Sequence, residues 1–144
     1  MIIFLDFDGT VVEHQYPLIG ELNPNCFEVL DKLIIAKHKI ILNTMRVEFQ
    51  DGTLEEAISY IRMELFKINP KNTTSFELEH TLSKIHPSEW NWNLHLAEQC
   101  IYIDDICKGT PMRNNIETMG QMVDWFALDK QFIEFGIYNR KNIK

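Results

Sequence analysis

The segment Ile2–Thr10 reads IIFLDFDGT, four apolar residues followed by an Asp-Phe-Asp triplet, a glycine and a threonine. A short apolar run without alternation is typical of a strand that is buried on both faces of a parallel sheet. Asp6 and Asp8 follow at the point where this strand ends. Because ligands of open parallel sheets bind beyond the carboxyl ends of the strands, the segment predicts both a sheet strand and a functional site.

Two later segments have the same arrangement. Ile40–Arg46 reads IILNTMR, and Ile101–Asp105 reads IYIDD. If the three strands are neighbours, the carboxylates, a hydroxyl and a guanidinium that follow them meet in one pocket. The carboxylates would repel one another unless a cation lay among them, and oxygen ligands suit a hard ion such as Mg²⁺. The pattern therefore predicts an Mg²⁺ and phosphate site at the ends of the strands.

Helical patterns follow the first two apolar runs. Asn23 and Pro24 have the features of an N-cap and of a first helical residue, so they predict a helix that begins there. Thr53 and Glu56 form a capping box, which predicts a second helix that extends to about Met63.

The other segments are assigned by similar arguments. Residues 11–22 contain Pro and Gly and are expected to form a loop or a small hairpin. Leu65–Ile68 is interpreted as a third strand, and Phe76–Ile85 as a helix. Residues 123–135 have apolar side chains at helical spacing and predict a last helix.

Strands that alternate with helices predict right-handed βαβ units. We therefore expect an α/β protein with a three-layer α/β/α Rossmann-like fold and a central, mainly parallel sheet. The chain has 144 residues and 45% hydrophobic residues, which is enough for one packed domain over residues 1–144.

Charge and composition exclude several classes of function. The net charge of −7 repels nucleic-acid backbones, so a nucleic-acid partner is not expected. No apolar stretch approaches the roughly 20 residues that span a bilayer, and Ile2–Leu5 lacks the basic lead of a secretory signal. Cys26, Cys100 and Cys107 have no CxxC spacing and are interpreted as reduced thiols. Together these features predict a cytoplasmic protein without a membrane partner.

The residue types after the strands suit phosphoryl transfer. Asp6 could attack phosphorus and form an aspartyl-phosphate, and Asp8 could act as general acid and then as general base. Gly9 lets the chain turn so that neighbouring amides can face the phosphate. Thr44 could donate a hydrogen bond to a phosphoryl oxygen, and Arg46 could hold the phosphate or an anionic leaving group.

The three segments resemble the motifs of the haloacid dehalogenase (HAD) superfamily of aspartate-nucleophile phosphatases, over roughly residues 1–110. The first motif, an apolar strand followed by DxDGT, is matched in full. The resemblance implies that Asp6 is nucleophile and metal ligand, and that Asp8 is acid/base and binds the metal through its backbone carbonyl. It also implies that Asp104 is the main acidic ligand, with Asp105 bound directly or through water.

The chain departs from the family pattern at the third motif, which is a lysine before the last acidic strand. Residues 85–103 contain no Lys or Arg. Lys84 is the best candidate, with Lys67 and Lys71 as further candidates. The intervals between the motifs leave no room for a full cap domain, although residues 70–98 could form a small lid.

These features predict a capless Mg²⁺-dependent phosphatase that acts on a small-molecule phosphate ester. The open site could also be closed by a second copy of the chain in a homo-oligomer. Two alternatives stay open: a non-catalytic protein that binds metal and phosphate, and a phosphatase for nucleotides or nucleic-acid ends. A phosphoacceptor receiver domain is a further alternative and ranks last. In a receiver the paired acids come first and the acceptor Asp ends a middle strand, whereas here the DxD segment with the proposed acceptor closes the first strand.

Overall fold

The structure, a computed structural model, describes residues 1–71, 78–82, 86–91 and 100–139. Its centre is a four-stranded sheet in which every neighbouring pair of strands is parallel, in the order β3-β2-β1-β4. The strands are β1 (Ile2–Leu5), β2 (Lys39–Asn43), β3 (Glu79–Thr81) and β4 (Cys100–Ile103). The flanking helices are α1 (Cys26–Ile35), α2 (Thr53–Ile68) and α3 (Trp125–Glu134). The predicted α/β Rossmann-like class is confirmed.

Two 3-10 turns and a small antiparallel hairpin complete the described elements. The turns span Met45–Val47 and Pro87–Glu89. The hairpin consists of β5 (Met112–Asn114) and β6 (Gln121–Val123). No helix in these residues is long and apolar enough to cross a membrane.

The strand register places the ends of three strands side by side. Leu5, the last residue of β1, is paired with Leu42 of β2 and with Ile103 of β4. The residues that follow Leu5 and Ile103 are therefore brought to one edge of the sheet, next to the end of β2. The amide of Asp6 also donates to the carbonyl of Ile103 at 2.9 Å, which keeps the two chains together beyond the sheet.

The apolar run of β1 forms the centre of the core. Ile3 and Leu5 have no exposed surface. The buried apolar side chains of α1 and α2 belong to the same core cluster. Phe4 is partly buried and stacks on Tyr102 of β4, with ring centroids 4.7 Å apart. Full burial of one such aliphatic side chain contributes about 1.5–3 kcal/mol. The predicted central strand is thus confirmed with the bounds expected for it.

Two predicted elements are wrong. Leu65–Ile68 is the last turn of α2 and not a strand, because Leu65 continues the buried stripe of Ala57 and Ile61 at four-residue spacing. Glu79–Thr81, inside the expected helix Phe76–Ile85, is strand β3, paired with β2. The other residues of that expected helix, apart from 78 and 82, lie outside the described part of the chain.

The predicted helix starts also need correction. Helix α1 begins at Cys26 after Asn25, while the side chain of Asn23 bonds two carbonyls elsewhere in the chain. Helix α2 does begin at Thr53, but the expected capping box is absent. Instead, Oδ1 of Asp51 accepts from the amide of Thr53 at 3.0 Å and from its hydroxyl at 2.6 Å.

A flap over residues 11–22 follows the first strand, as the sequence predicts. Val12 forms an antiparallel bridge with Leu22, and the amide of Glu13 donates to the carbonyl of Glu21 at 2.8 Å. The flap folds back over the end of the sheet. It therefore contributes side chains to the cavity described next.

Candidate metal and phosphate site

Three acids from two strand ends form one cluster. Asp6, Asp104 and Asp105 each offer a carboxylate oxygen, and these oxygens lie within 4.8 Å of one another. Asp104 is buried, and Asp6 and Asp105 are half-buried. The sequence prediction that residue 104 lies beside residue 6 is therefore correct.

The cluster is electrostatically costly without a cation. Burial raises the pKa of the Asp6 carboxyl well above its usual range, and the charges of Asp104 and Asp105 raise it further. Burial likewise raises the pKa of Asp104 to about 7, with a further contribution from Asp105. Two hydrogen bonds oppose these shifts: the hydroxyl of Thr10 donates to Asp6 at 3.0 Å, and the amide of Ile106 donates to Asp104 at 3.1 Å.

The donor set fits Mg²⁺. All three side chains offer oxygen, the ligand that this ion prefers, and one bound divalent charge would offset the mutual repulsion of the carboxylates. The turn after β1 makes room for the cluster. Gly9 has φ +83°, and a Cβ at this position would lie 2.4 Å from Oδ2 of Asp105. A glycine is therefore required both by the backbone and by the carboxylate beside it.

Asp8 lies in the same cavity but has a different partner. Nε of Arg46 donates to Oδ2 of Asp8 at 2.9 Å, and Nη2 donates to Oδ1 at 2.8 Å, which is a bidentate ion pair. Burial alone lowers the pKa of Arg46, but the hydrogen bonds and the charge of Asp8 outweigh this and raise it. Asp8 is thus compensated by a protein cation, whereas Asp6 is not.

Two more of the five N–H donors of Arg46 are engaged. Nη1 donates to the carbonyl of Thr53 and Nη2 to the carbonyl of Leu18, both at 3.1 Å. The guanidinium carbon lies 4.9 Å from the ring centroid of Phe7 and 5.1 Å from that of Tyr16. Arg46 is therefore a buried link between the first motif, the flap and the start of α2. The sequence predicts that Arg46 holds a phosphate or an anionic leaving group. In the structure its guanidinium is buried and bonded to Asp8 and to two carbonyls instead.

Thr44 and Gly9 differ in what they offer a phosphate. Thr44 lines the cavity, and its Oγ1 accepts from the amide of Arg46 at 3.2 Å. That bond orients the hydroxyl, whose own hydrogen can donate to a phosphoryl oxygen. The N–H of Gly9 instead donates to the carbonyl of Val12 at 2.8 Å. Gly9 therefore serves the site by its lack of a side chain and not by its amide.

The acids open into a cavity of about 640 Å³. The flap, the segment after β2 and the segment after β3 form its other walls. Residues that sequence reasoning did not assign to the site line these walls: Tyr16, Glu48, Phe49, Leu82, His86 and Pro87. His14, from the flap, also lines the cavity. Residues such as Tyr16 and Phe49 carry no local signal, because only the fold brings them together.

Two of the three candidates for the third-motif lysine, Lys67 and Lys71, lie within the described residues, and neither lines the cavity. Lys67 is exposed on α2 and forms an ion pair with Glu64 at 3.0 Å. Lys71 is described but does not line the cavity. Lys84 lies outside the described residues, as does part of the lid expected over residues 70–98. Leu82, His86 and Pro87, from the described part of that segment, do face the cavity.

Comparisons with known proteins give one informative likeness. A conserved protein from Bacteroides thetaiotaomicron of known structure is 27% identical, with a TM-score of 0.52 over 94% of this chain and 91% of that chain. Comparisons with protein families and with curated proteins find no match. The likeness agrees with the α/β fold described above.

Proposed function

We propose that this protein is a Mg²⁺-dependent phosphohydrolase of the haloacid dehalogenase type, which cleaves a phosphomonoester through an aspartyl-phosphate on Asp6. The observation that carries the proposal is the convergence of Asp6, Asp104 and Asp105, with oxygens within 4.8 Å of one another, in a cavity that Thr44 also lines. A site of this kind needs a cation to be stable and room for a phosphate beside it. The three acids offer ligands for the cation, and the cavity offers the room.

Asp6, Asp104 and Asp105 would hold the ion, and the family resemblance adds the backbone carbonyl of Asp8. Bound there, Mg²⁺ supplies positive charge that offsets the carboxylates and a phosphoryl group in this acidic chain. The described cavity lining contains no lysine, so this charge matters more than in a site with a free basic side chain.

The chain's own residues would carry the chemistry. A carboxylate oxygen of Asp6 attacks phosphorus, and the bond from phosphorus to the leaving oxygen breaks while Asp8 gives that oxygen a proton. Water then attacks phosphorus and transfers a proton to Asp8. The bond to Asp6 breaks, inorganic phosphate leaves and both carboxyls return to their starting state. Thr44 would donate to a phosphoryl oxygen throughout.

The ion pair with Arg46 sets a condition on this mechanism. Both carboxylate oxygens of Asp8 accept hydrogen bonds from Arg46, so Asp8 cannot take a proton without giving up one of them. We therefore expect substrate binding to release one oxygen of Asp8 while Arg46 keeps the other. A small-molecule ester and a cytoplasmic location stay predictions alongside this mechanism.

The test compares Asp6→Asn with Asp8→Asn. Hydrolysis of p-nitrophenyl phosphate by the wild-type chain should require Mg²⁺ and stop with EDTA, and both variants should lose at least about a hundredfold in kcat. Calorimetric Mg²⁺ titration should separate them. Asp6→Asn removes a ligand and should weaken Mg²⁺ binding strongly, whereas Asp8→Asn should keep it, because the Asp8 carboxylate lies with Arg46. Activity that persists in EDTA or in Asp6→Asn would refute the mechanism.

A second candidate is a protein that binds metal and phosphate without turnover. The bidentate hold of Arg46 on Asp8 favours it, because the proposed acid is not free in this structure. This candidate predicts Mg²⁺ binding that depends on Asp6, with no hydrolysis across a broad panel of phosphate esters.

A further inference from the structure

The cavity is much larger than the acid cluster needs. Its volume of about 640 Å³ lies within the range of about 300–1,000 Å³ that is typical of pockets enclosing a whole small molecule. If a phosphoryl group sits at Asp6 and Thr44, most of the space is left for the group that it is attached to. The walls of that space therefore indicate what this group is.

The wall formed by the flap and the segment after β2 is apolar and aromatic. Tyr16 and Phe49 lie with ring centroids 5.5 Å apart at an angle of 41°, and Met45 stands in the same lining. Phe49 is 42% and Met45 59% exposed. Large apolar side chains that remain exposed inside a cleft are typical of a surface that a ligand covers.

This wall is held in place before any ligand arrives. The hydroxyl of Tyr16 donates to Asp51 at 3.0 Å, and the guanidinium of Arg46 lies against its ring. The ring thus has contacts at its tip and on its surface, and it need not be ordered on binding. A preformed aromatic wall favours a flat apolar group over a flexible polar one.

The charges in the cavity disfavour an anionic leaving group. Among the described lining residues, Arg46 is the sole Lys or Arg, and Asp8 and two carbonyls already take four of its five N–H donors. Glu48 adds a further acid to the lining. Within the described lining, a second negative charge on the ligand would meet acids and no unpaired Lys or Arg, and would be repelled.

His86 offers a polar contact elsewhere in the lining. Its Nδ1 accepts from the amide of Ser88 at 3.3 Å, so in the neutral ring Nε2 carries the proton. His14 stands in the lining as well. An uncharged group with ring nitrogens or hydroxyls could bond to these side chains without bringing charge.

We propose that the site takes phosphomonoesters whose leaving group is uncharged and carries an aromatic ring, which packs against Tyr16 and Phe49. This inference rests on the proposed function for the position of the phosphate. It adds the substrate class, which the acid cluster alone does not define.

The test measures binding with phosphonates, which are not hydrolysed. Ethylphosphonate, 2-phenylethylphosphonate and 2-carboxyethylphosphonate share one head group and differ in the attached group. Titrated calorimetrically into the wild-type chain with saturating Mg²⁺, the phenyl compound should bind at least about tenfold more tightly than the ethyl compound. The carboxyl compound should bind more weakly than the ethyl compound.

Phe49→Ala and Phe66→Ala form a matched pair of variants. Phe66 is also exposed but lies on α2 and does not line the cavity. Phe49→Ala should reduce the advantage of the phenyl compound to about threefold or less and change ethylphosphonate affinity by less than about twofold. Phe66→Ala should leave both affinities unchanged. If Phe49→Ala does not fold, the comparison of the three ligands on the wild-type chain decides by itself.

On the wild-type chain, any of three results would overturn the inference: equal affinities for the phenyl and ethyl compounds, tightest binding of the carboxyl compound, or no binding of any phosphonate. An advantage of the phenyl compound that survives in Phe49→Ala would also overturn it. Failure of the proposed function is seen separately, in the turnover of p-nitrophenyl phosphate. Turnover with equal phosphonate affinities refutes the substrate class alone, and the expected affinities without turnover refute hydrolysis alone.

Discussion

The carboxylates of this site differ in whether a protein cation compensates their charge. Asp8 has a protein cation, since Arg46 grips both its oxygens. Asp6 and Asp104 share a buried cluster, and none of the ion pairs in the described residues includes them. The ion pair with Arg46 holds the Asp8 side chain in place, whereas the cluster of Asp6 and Asp104 keeps negative charge that a metal could offset. Such a division of roles is typical of sites in which neighbouring acids do different work.

Replacing Asp104 by Asn tests the cost of this charge. The pKa of Asp104 is raised from 3.8 to about 7, mainly by burial. A raised carboxyl pKa stabilises the folded state fully below about pH 3.8, and that stabilisation is lost as the pH rises through 7. In metal-free protein, the change that Asp104→Asn causes in the free energy of unfolding should therefore depend on pH. It should be more stabilising at pH 8 than at pH 5, by on the order of 3 kcal/mol.

Urea unfolding in EDTA at the two pH values measures this difference. Glu134→Gln, an exposed change on α3, is the control and should show none. With saturating Mg²⁺ at pH 8, the wild-type chain should regain the lost stability, because the ion offsets the charge that the Asn variant lacks. An Asp104→Asn effect that is the same at pH 5 and pH 8 would show that the carboxyl is not destabilised in the fold.

The turn between β1 and the flap is the element that shapes the cluster. Gly9 and Gly52 both have positive φ, +83° and +86°, so an alanine at either position meets a similar backbone cost of about 1–2 kcal/mol. Their surroundings differ. A Cβ at Gly9 would lie 2.4 Å from Oδ2 of Asp105, whereas a Cβ at Gly52 has nothing within 4 Å.

Gly9→Ala should therefore weaken Mg²⁺ binding at least about tenfold, because Asp105 has to move. Gly52→Ala should leave the affinity within about twofold, although both variants lose stability. Calorimetric Mg²⁺ titration of the two variants and the wild-type chain measures the effect. Equal Mg²⁺ affinities in the two variants would mean that Asp105 takes no part in the site.

The elements that the sequence predicts well are those whose signal is local. The apolar run of β1 and the acids after β4 are visible in consecutive residues, and parallel register then brings them together. The end of α2 was missed because Leu65–Ile68, taken alone, fits a strand as well as a helix. Hairpin β5–β6 was missed because its strands are only three residues long, and because Val123, which ends β6, was wrongly included in the predicted helix 123–135, which begins at Trp125.

The partner of Arg46 illustrates what sequence could not supply. A guanidinium two residues after Thr44 suits either a phosphate or a carboxylate, and the choice depends on the position of Asp8, 38 residues away. The same holds for the wall of Tyr16 and Phe49, which exists only after the flap has folded over the sheet.

Segments about 100 residues apart in the chain meet next to the first motif. Nδ2 of Asn23 donates to the carbonyl of Thr10 at 2.8 Å and to the carbonyl of Val123 at 2.7 Å. Nε1 of the fully buried Trp125 donates to the same Thr10 carbonyl at 2.8 Å, and the amide of Val123 donates to Gly9. The turn that holds the acids is thus fixed by residues about 100 positions later, so the geometry of the site depends on the completed fold.

Asn23→Asp tests whether this junction controls the stability of the entire chain. Asn23 is fully buried, and its Oδ1 has no donor among the described residues. A carboxylate there would face two carbonyls and have no compensating donor, so the variant should lose about 3 kcal/mol or more in the free energy of unfolding. Asn69→Asp at the end of α2 is the control and should cost less than about 1 kcal/mol. Urea unfolding at pH 7 compares the variants, and similar losses at both positions would contradict a special role for Asn23. Because the same side chain supports the turn at Gly9, Asn23→Asp protein that remains folded should also bind Mg²⁺ more weakly than the Asn69→Asp control.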